Sequence, residues 1–465
     1  MEFARNQFET HTRRIQFGSL LAVLLITLAF FLLEDRASGV AYLLIERWIA
    51  LPAMVFLGAS LCREGENRWH LYAGLAMITL FFLIQLLHLV LEAEAKQIGP
   101  FVCAYGLCFP FAAATRDEKT QMGLKWMAGL FLAVGAVLTL YAVLLLLDTV
   151  PEYLRNYVYW DGSRFFAMGH PNICATLLMI SMVFCAGFAL QSGKLWVKIG
   201  LAVLMLPQFF VLSLTNGRTT IILTCLLLGG IVFCAIRGRG WKRAIVAILA
   251  AVVVMAAAFG LSRAVYGWNQ DRLLRMHITS VAAEEAAAPE SEMPENADAP
   301  NPMASEDSAT QPVLVANEYQ GTLSGDLKTL NGRTFIWKTA LMGLEENPRV
   351  KFIGTEYVEM ILTRYNALPL YHTHNSWLEA LYRMGLPGLA AAMVITVLAV
   401  WSALVTLWRN TDLWKSCVAL LSLCLLGCAM LEPYLFVADV SYFYLDFLFL
   451  MCLGYLCLWR KERDA

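Results

Sequence analysis

Side chains suited to catalysis are concentrated in one short run of this chain, from His372 to Glu379. The run has the sequence His-Thr-His-Asn-Ser-Trp-Leu-Glu, and a Gly-Leu-Pro-Gly turn follows it at Gly385. Ser376 and Glu379 have the spacing of a capping box, in which the serine is the N-cap and the glutamate returns to its amide. We therefore predict a helix that begins near Ser376 and stops near Gly385, where the glycine and the proline after it disfavour continuation.

His374 and Asn375 lie directly before this predicted helix. The free amides and the dipole of a helix N-terminus favour a bound anion and disfavour a charged imidazole. A neutral histidine beside a bound anion is suited to act as a general base. The alternative is a loop histidine that only caps the helix. The second histidine, His372, and the polar residues around it favour the catalytic interpretation.

Two arginines are candidates for holding that anion. Arg218 ends the motif Leu-Thr-Asn-Gly-Arg at the predicted outer end of a membrane span, and Arg333 follows Asn331-Gly332. An arginine at a membrane helix is costly unless it is paired or functional, and its planar fork suits phosphate. We predict that the two form a diphosphate clamp, with contact to lipid headgroups as the alternative. Arg333 is also predicted to open an amphipathic helix that Pro348 ends.

The segment Arg164 to Asn172 precedes another predicted span and contains His170-Pro-Asn. Asn172 is predicted to be the N-cap of that span, because asparagine is favoured at this position. Contact with substrate is the alternative role for Asn172. Arg164 and His170 are predicted to add polar groups to the same outer cavity.

Two carboxylates, Glu432 and Asp446, lie in or near the last two predicted spans. Ionisable groups at membrane depth are functional candidates by default. They are predicted either to balance the arginines or to relay protons in a transporter.

The composition predicts that these residues belong to an all-α polytopic membrane protein. The chain has 465 residues, of which 59% are hydrophobic and 15% are charged, whereas soluble domains carry about 25% charged residues. The net charge of −1 gives no sign of a nucleic-acid partner. Because about 20 apolar residues cross a bilayer, about twelve spans are predicted. They are 17–34, 40–62, 70–92, 97–114, 124–147, 173–191, 196–214, 218–236, 242–262, 386–408, 414–436 and 440–459.

The short basic connections predict the orientation. Lys and Arg cluster at the N-terminus, at the C-terminus and in alternate connections, such as those with Lys194 and Lys198 and with Arg237, Arg239, Lys242 and Arg243. Because basic residues favour the cytoplasmic side, both termini are predicted to be cytoplasmic. The long segment between the ninth and tenth spans is then extracytoplasmic, where nucleotide sugars are absent.

Three regions follow from this layout. Residues 1–262 form an N-terminal membrane region of about nine spans, residues 263–385 form the extracytoplasmic loop, and residues 386–465 form a C-terminal membrane region of three spans. Residues 263–280 are predicted to extend a helix. The acidic, Ala- and Pro-rich stretch 281–312 is predicted to be disordered, because it cannot bury a core.

The chain resembles the O-antigen ligase and O-antigen polymerase superfamily. The blocks that carry the resemblance occur in this order: Arg164…His170-Pro-Asn172, Leu214-Thr-Asn-Gly-Arg218, Gly332-Arg333, and His372-Thr-His374-Asn375…Glu379. The resemblance implies a GT-C-like, inverting, metal-independent glycosyltransferase of the bacterial cytoplasmic (inner) membrane. Such an enzyme needs no cofactor and moves a glycan from undecaprenyl diphosphate to the sugar hydroxyl of an acceptor, such as lipid A-core.

The resemblance also implies roles for single residues. His374 would be the base or a group that positions the acceptor, and Arg218 and Arg333 would hold the diphosphate. The supporting, substrate-binding residues would be His372, Asn375, Arg164 and Glu379, with His170 and Asn172 beside them. One departure is Thr-Asn-Gly-Arg where many members have Ser-x-Ser-Arg.

Several functions remain open at this point. A ligase and a polysaccharide polymerase use the same donor chemistry, and the sequence does not separate them. A transporter of a lipid-linked glycan would be expected to carry internal repeats and charges deep in several spans, whereas the charges here cluster at one rim. A membrane scaffold would give no reason for His374 and the arginines to lie on one side.

Overall fold

A computed structural model describes residues 121–155, 158–161, 164–167, 170–237, 241–287, 333–355, 358–364, 372–409, 412–436 and 443–457. Four predicted spans, 17–34, 40–62, 70–92 and 97–114, lie outside the described residues. So does the part of the predicted disordered insert from residue 288 onwards.

The described chain is almost entirely helical, with one two-stranded antiparallel ribbon. The membrane-region helices before the long loop are α1 Gln121–Leu146, α2 Pro171–Gln191, α3 Leu195–Thr215, α4 Arg218–Ile236 and α5 Trp241–Ala287. The ribbon between α1 and α2 consists of β1 Val158–Asp161 and β2 Arg164–Ala167. The remaining helices are α6 Arg333–Glu346, α7 Pro348–Ile353, α8 Val358–Arg364, α9 Ser376–Arg409, α10 Leu413–Ala429 and α11 Phe443–Cys457.

Six of the described helices are long and apolar enough to cross a membrane. They comprise α1 to α5 and α9, and α10 is a shorter apolar helix. The chain is therefore an all-α polytopic membrane protein, as the composition predicts. Within the described residues, the predicted spans from 124–147 onwards each overlap a helix, although α10 ends at Ala429 rather than at the predicted residue 436.

Helix α2 lies at the centre of the described bundle and packs against α1, α3, α4 and α10. In its most apolar stretch 83% of the residues are buried, whereas the corresponding share for α5 is 11%. Gly187 of α2 allows a close approach to α10, because a Cβ there would lie 2.8 Å from a ring carbon of Trp414. Small residues at such contacts let membrane helices pack closely.

The segments that carry the candidate residues meet at one end of this bundle. Between α3 and α4 the chain turns sharply through Asn216, which has a φ of 49°, and Gly217. The ribbon packs against α1, α2 and α3. The start of α9 and the chain after α10 contact each other through hydrogen bonds between Ser376 and the segment Glu432–Leu435.

Two predictions about the long loop are corrected or refined. Helix α5 continues to Ala287, so the prediction of disorder was wrong for residues 281–287. These residues are mostly alanine and glutamate, which have high helix propensity. Arg333 does open α6, as predicted, but α6 ends at Glu346 and Pro348 is the first residue of the next helix, α7. Proline is favoured at that first position, where no amide proton is needed.

Candidate functional site

A polar cavity of about 480 Å³ lies where these helix ends meet. Six of the predicted site residues line it, including the three predicted catalytic residues. Its lining consists of Arg164, His170, Asn172, Asn216, Gly217, Arg218, Thr219, Thr220, Tyr266, Arg333, Ile336, His374, Cys428, Glu432 and Tyr434. The structure thus brings together groups from α2, α4, α5, α6 and the β2 strand that are far apart in sequence.

The carboxylate of Glu432 is the hub of the cavity. Its Oε1 accepts hydrogen bonds from Nη2 of Arg333, in a buried ion pair, and from Nδ2 of Asn172 at 2.8 Å. Its Oε2 lies 3.1 Å from Nδ1 of His374. Glu432 is only 7% exposed, and a buried charge is tolerated when it is paired and hydrogen-bonded in this way. The predicted balancing of an arginine by this carboxylate is what the structure shows.

Glu432 fixes the protonation pattern of His374. Because an ionised carboxylate only accepts hydrogen bonds, Nδ1 of His374 must carry the proton that faces it. The other nitrogen, Nε2, is then an acceptor in the neutral ring. His374 has a φ of 52°, and its own amide lies 3.4 Å from Nδ1 of His372, so the loop before α9 turns tightly here.

The surroundings of Glu432 and His170 shift the pKa of each group downwards. Burial alone would raise the pKa of Glu432, but the hydrogen bond from His374 and the positive charge of Arg333 hold it below its ordinary value. Burial lowers the pKa of His170, more than the negative charge of Glu432 raises it. At neutral pH the site therefore combines an ionised Glu432 with a neutral His170.

The cap of α9 differs from the predicted capping box. Oδ1 of Asn375 accepts hydrogen bonds from the amides of Trp377 and Leu378, at 3.1 and 2.9 Å, so Asn375 is the N-cap. The prediction of Ser376 in this role was wrong, because its hydroxyl donates to the carbonyl of Glu432 and accepts from the amide of Leu435. Asn375 thus positions α9, and Ser376 ties α9 to the segment that carries Glu432.

Glu379 and His372 support the loop without lining the cavity. Glu379 is fully buried, and its Oε2 accepts hydrogen bonds from the amide and the hydroxyl of Thr373, each at 2.9 Å. Its Oε1 accepts from Nε of Arg383 at 2.8 Å. The ring of His372 lies edge-on to that of His374, with 4.1 Å between their centroids. These residues hold the loop that presents His374.

The roles of His170 and Asn172 are exchanged relative to the prediction. His170 is the N-cap of α2, because its Nδ1 accepts from the amide of Asn172 at 3.2 Å. The helix begins at Pro171, which leaves Asn172 inside the first turn. The side chain of Asn172 bridges Nη2 of Arg164, at 3.2 Å, and Glu432, at 2.8 Å. The prediction of Asn172 as N-cap was therefore wrong.

Positive groups converge on the cavity from three elements. Arg164 also donates from Nε to the carbonyl of Thr215, at 3.1 Å, which satisfies the C-terminus of α3. Nε of Arg333 is buried and has no hydrogen-bond partner among the described residues. Arg218 is the first residue of α4, whose N-cap, Gly217, has no side chain to cover the free amides. An anion in this cavity would meet guanidinium groups and helix amides together.

Gly217 keeps this turn narrow. A Cβ at position 217 would lie 2.9 Å from Cβ of Ala175 in α2 and 3.6 Å from Oδ1 of Asn172. The start of α4 can therefore approach α2, and Arg218 is brought to the same cavity as Asn172 because residue 217 has no side chain.

The model of the family described as O-antigen ligase matches residues 200–393. This segment belongs to the O-antigen ligase superfamily. It runs from α3 into α9 and carries Arg218, Arg333 and His374. Together with the membrane spans, it indicates a membrane enzyme of the O-antigen ligase or polymerase type. No curated protein matches the chain.

Residues on both sides of the O-antigen ligase segment complete the cavity. Arg164, His170 and Asn172 precede it and Glu432 follows it. Sequence reasoning did not place Glu432, Tyr266, Thr219 or Tyr434 among the site residues. The signal for Glu432 was its charge beside a span, whereas nothing in the pattern distinguishes the tyrosines or the threonine from packing residues.

The cavity also has a set of potential metal ligands at its edge. One ligand atom each from His372, His374 and Glu432 lies within 4.8 Å of the others. Two histidines and a carboxylate are a ligand set that zinc accepts. However, Glu432 already accepts hydrogen bonds from Arg333 and Asn172, and a divalent cation there would be repelled by the Arg333 guanidinium. The donor set as arranged suits an anion in the cavity better than a cation.

Proposed function

We propose that the protein is an inverting, metal-independent glycosyltransferase that moves a glycan from undecaprenyl diphosphate to the sugar hydroxyl of an acceptor, as an O-antigen ligase does. The observation that carries the proposal is the pairing of His374 with Glu432 inside a cavity that Arg164, Arg218 and Arg333 also line. A base and an anion site in one cavity are what this transfer requires.

The arginine side of the cavity is proposed to hold the diphosphate. Negative charge develops on the diphosphate oxygen as the bond to the sugar breaks, and preorganised donors stabilise that charge. Nε of Arg333, the Arg218 side chain and the amides at the start of α4 are suited to this role. Because these cations neutralise the leaving group, no metal ion is required.

His374 is proposed to be the general base. Its Nε2 takes the proton of the acceptor hydroxyl while that oxygen forms a bond to the anomeric carbon of the donor sugar. The bond from that carbon to the diphosphate breaks on the opposite face, which inverts the configuration. Glu432 holds the ring through Nδ1 and stabilises the imidazolium that forms.

The direction of the helices supports an extracytoplasmic cavity. The starts of α2, α4 and α9 and the end of α3 all contribute to the site. At the other ends of these helices lie Lys194 and Arg237, with Lys242 at the start of α5. Because basic connections favour the cytoplasm, we propose twelve spans with both termini cytoplasmic, in the bacterial inner membrane. The regions would then be 1–262, the outer loop 263–385 and 386–465.

A polysaccharide polymerase would use the same donor and the same cavity. The test is therefore an assay of transfer by the purified protein in nanodiscs. The substrates are an undecaprenyl diphosphate-linked oligosaccharide and either lipid A-core or a second copy of the donor. A single addition to lipid A-core identifies a ligase, and a ladder of products on the lipid carrier identifies a polymerase.

Three comparisons make this assay decisive. Transfer is expected to survive EDTA. It is expected to collapse in His374→Ala but to persist in Lys338→Ala, because the Lys338 side chain is exposed on α6 and does not line the cavity. Loss of transfer in EDTA with recovery on added zinc would instead assign His372, His374 and Glu432 to a metal. Movement of the lipid across a vesicle membrane without any transfer would identify a transporter and refute the proposal.

A further inference from the structure

The ribbon beside the cavity has two chemically different faces. In its register Tyr159 lies opposite Phe166, and Trp160 lies opposite Phe165. Residues opposite each other in an antiparallel pair share a face, and the faces alternate along the strand. Phe165 and Ala167 on one face are fully buried against the helices. Arg164 and Phe166 on the other face are only partly buried.

The outer face of the ribbon carries an exposed aromatic pair. The rings of Tyr159 and Phe166 are stacked, with 4.3 Å between their centroids and 24° between their planes. Tyr159 is 37% exposed although it packs against Phe166. The buried residues Phe165 and Ala167 on the inner face already pack the ribbon against the helices. The packing of the described residues therefore does not explain an aromatic stack on the outer face.

This aromatic pair is continuous with the cavity. Arg164 lies on the same face as Phe166, two residues away, which is about 7 Å along a strand. The side chain of Arg164 lines the cavity and is fixed there by Thr215 and Asn172. A donor whose diphosphate sits among the arginines, with its first sugar beside His374, would therefore extend its later sugars over Phe166 and Tyr159.

We propose that Tyr159 and Phe166 form a platform on which a pyranose ring of the glycan stacks. The inference rests on the proposed function, in which the diphosphate occupies the arginine side of the cavity. A pyranose presents a face of C–H groups ringed by hydroxyls. That face packs on an aromatic ring, which offers a broad apolar surface with a negative π face. The Tyr159 hydroxyl adds a polar group at the rim.

The mixed chemistry of this face favours a sugar over lipid. A tyrosine at a membrane interface is commonly an anchor to headgroups. Here the aromatic pair shares its face with an arginine that is hydrogen-bonded to the protein and points into the site. A ligand that is apolar on one side and rich in hydroxyls at its edge matches that combination better than an acyl chain does.

Binding of two lipids to the protein in nanodiscs tests the platform. One is undecaprenyl diphosphate carrying a single sugar, and the other is the same lipid carrying three sugars. We expect the wild type to bind the longer glycan more tightly, by roughly 2- to 10-fold, the factor that one aromatic stacking contact contributes. Tyr159→Leu should abolish this preference and leave the affinity for the single-sugar lipid unchanged, whereas Tyr159→Phe should keep it.

A matched control is Tyr153→Leu, because Tyr153 is 77% exposed and precedes the ribbon. The same preference in wild type and Tyr159→Leu, with no change in the KM for the acceptor sugar, would overturn the platform. A raised acceptor KM with an unchanged donor preference would assign the stacked ring to the acceptor. If the wild type binds neither lipid, the proposed function is refuted. That result is distinguishable from the failure of the platform alone, in which the wild type binds both lipids and Tyr159→Leu keeps the preference.

Discussion

At the scale of single residues, the charge of Glu432 organises the site. It joins Arg333, which is 99 residues earlier in the chain, to His374 and Asn172. The types of these residues were informative in the sequence, since histidines and arginines beside membrane spans predicted an anion site. Their pairing was not, because contacts between residues so far apart depend on how the helices pack. Glu432 was recognised as a charge that could balance an arginine, but its partner could not be identified.

Replacing Glu432 by glutamine tests this organisation. Glu432→Gln keeps the size of the side chain but removes the charge that holds Nδ1–H of His374 and neutralises Arg333. We expect the transfer rate to fall by about 10²- to 10⁴-fold, the range for losing an oriented base. Glu359→Gln, at an exposed position of α8, should have no effect. A Glu432→Gln variant that folds and retains full transfer would show that the pairing has no catalytic role.

The same carboxylate should make stability depend on pH. The surroundings lower the pKa of Glu432 in the folded protein, so the unfolded chain takes up its proton first as the pH falls. This contribution to stability is fully present above the unfolded pKa of about 4.5 and is lost as the pH falls through the lower folded pKa. As the pH is lowered below about 4.5, the midpoint temperature of thermal unfolding should therefore decrease by more in wild type than in Glu432→Gln. Parallel curves for the two proteins would contradict the assigned pairing.

Arg333 should tolerate no other cation. Nη2 is committed to Glu432, and Nε is buried without a partner among the described residues. A lysine has one side-chain nitrogen, so it cannot donate to Glu432 and also present a rigid second donor to the diphosphate as the arginine fork does. In Arg333→Lys we expect weaker donor binding and a rate lower by about 10²- to 10³-fold, the cost of losing one preorganised donor. Lys338→Arg, at an exposed position of the same helix, is the control, and equal kinetics for the two variants would contradict the role of Arg333.

At the scale of elements, two glycines fix the position of α6 and α7 against α9. Gly354 and Gly385 have φ values of 85° and 66°. A Cβ on Gly385 would lie 2.3 Å from the carbonyl oxygen of Phe352, and a Cβ on Gly354 would lie 2.3 Å from that of Arg383. The two backbones therefore touch directly. This contact holds α7, the helix that directly follows α6, against the kink of α9.

Gly385→Ala should disturb both stability and activity. The substitution forces an L side chain into a left-handed conformation and against a carbonyl, which we expect to cost about 1–3 kcal/mol. The measurement is the midpoint of thermal unfolding in detergent, together with the transfer rate. Gly267→Ala in α5 is a matched control, because no atom lies within 4 Å of the added methyl group. Equal midpoints for the two variants would refute the tight contact.

The elements themselves were largely predictable. Apolar runs gave the membrane helices. The helix from Ser376 was predicted to stop near Gly385, whereas α9 continues to Arg409 across a kink at that glycine. The caps were not predictable, because tertiary partners decided them. Ser376 satisfies the local capping pattern, but its hydroxyl is engaged by the chain around Glu432, and Asn375 takes the cap instead. A local rule fails where another part of the chain competes for the same group.

At the scale of the whole molecule, the proposed reaction requires the cavity to face away from the cytoplasm. On that outer side a lipid-linked donor is already activated. Reporters that are active on only one side of the membrane test this orientation. A fusion after residue 300, in the long loop, is expected to be extracytoplasmic, and a fusion after residue 193, between α2 and α3, is expected to be cytoplasmic. The opposite pattern would place the site beside nucleotide sugars and remove the reason for a lipid donor.

The most direct test of the central claim is to measure donor binding and single-turnover transfer on the same sample of His374→Ala. We expect the variant to bind the undecaprenyl diphosphate-linked glycan almost as well as wild type, because the arginines remain. We expect the rate of transfer to fall by about 10²- to 10⁴-fold, the contribution of a general base. Transfer at the wild-type rate, or a loss of donor binding that accounts for all of the lost activity, would contradict the assignment of His374 as the base.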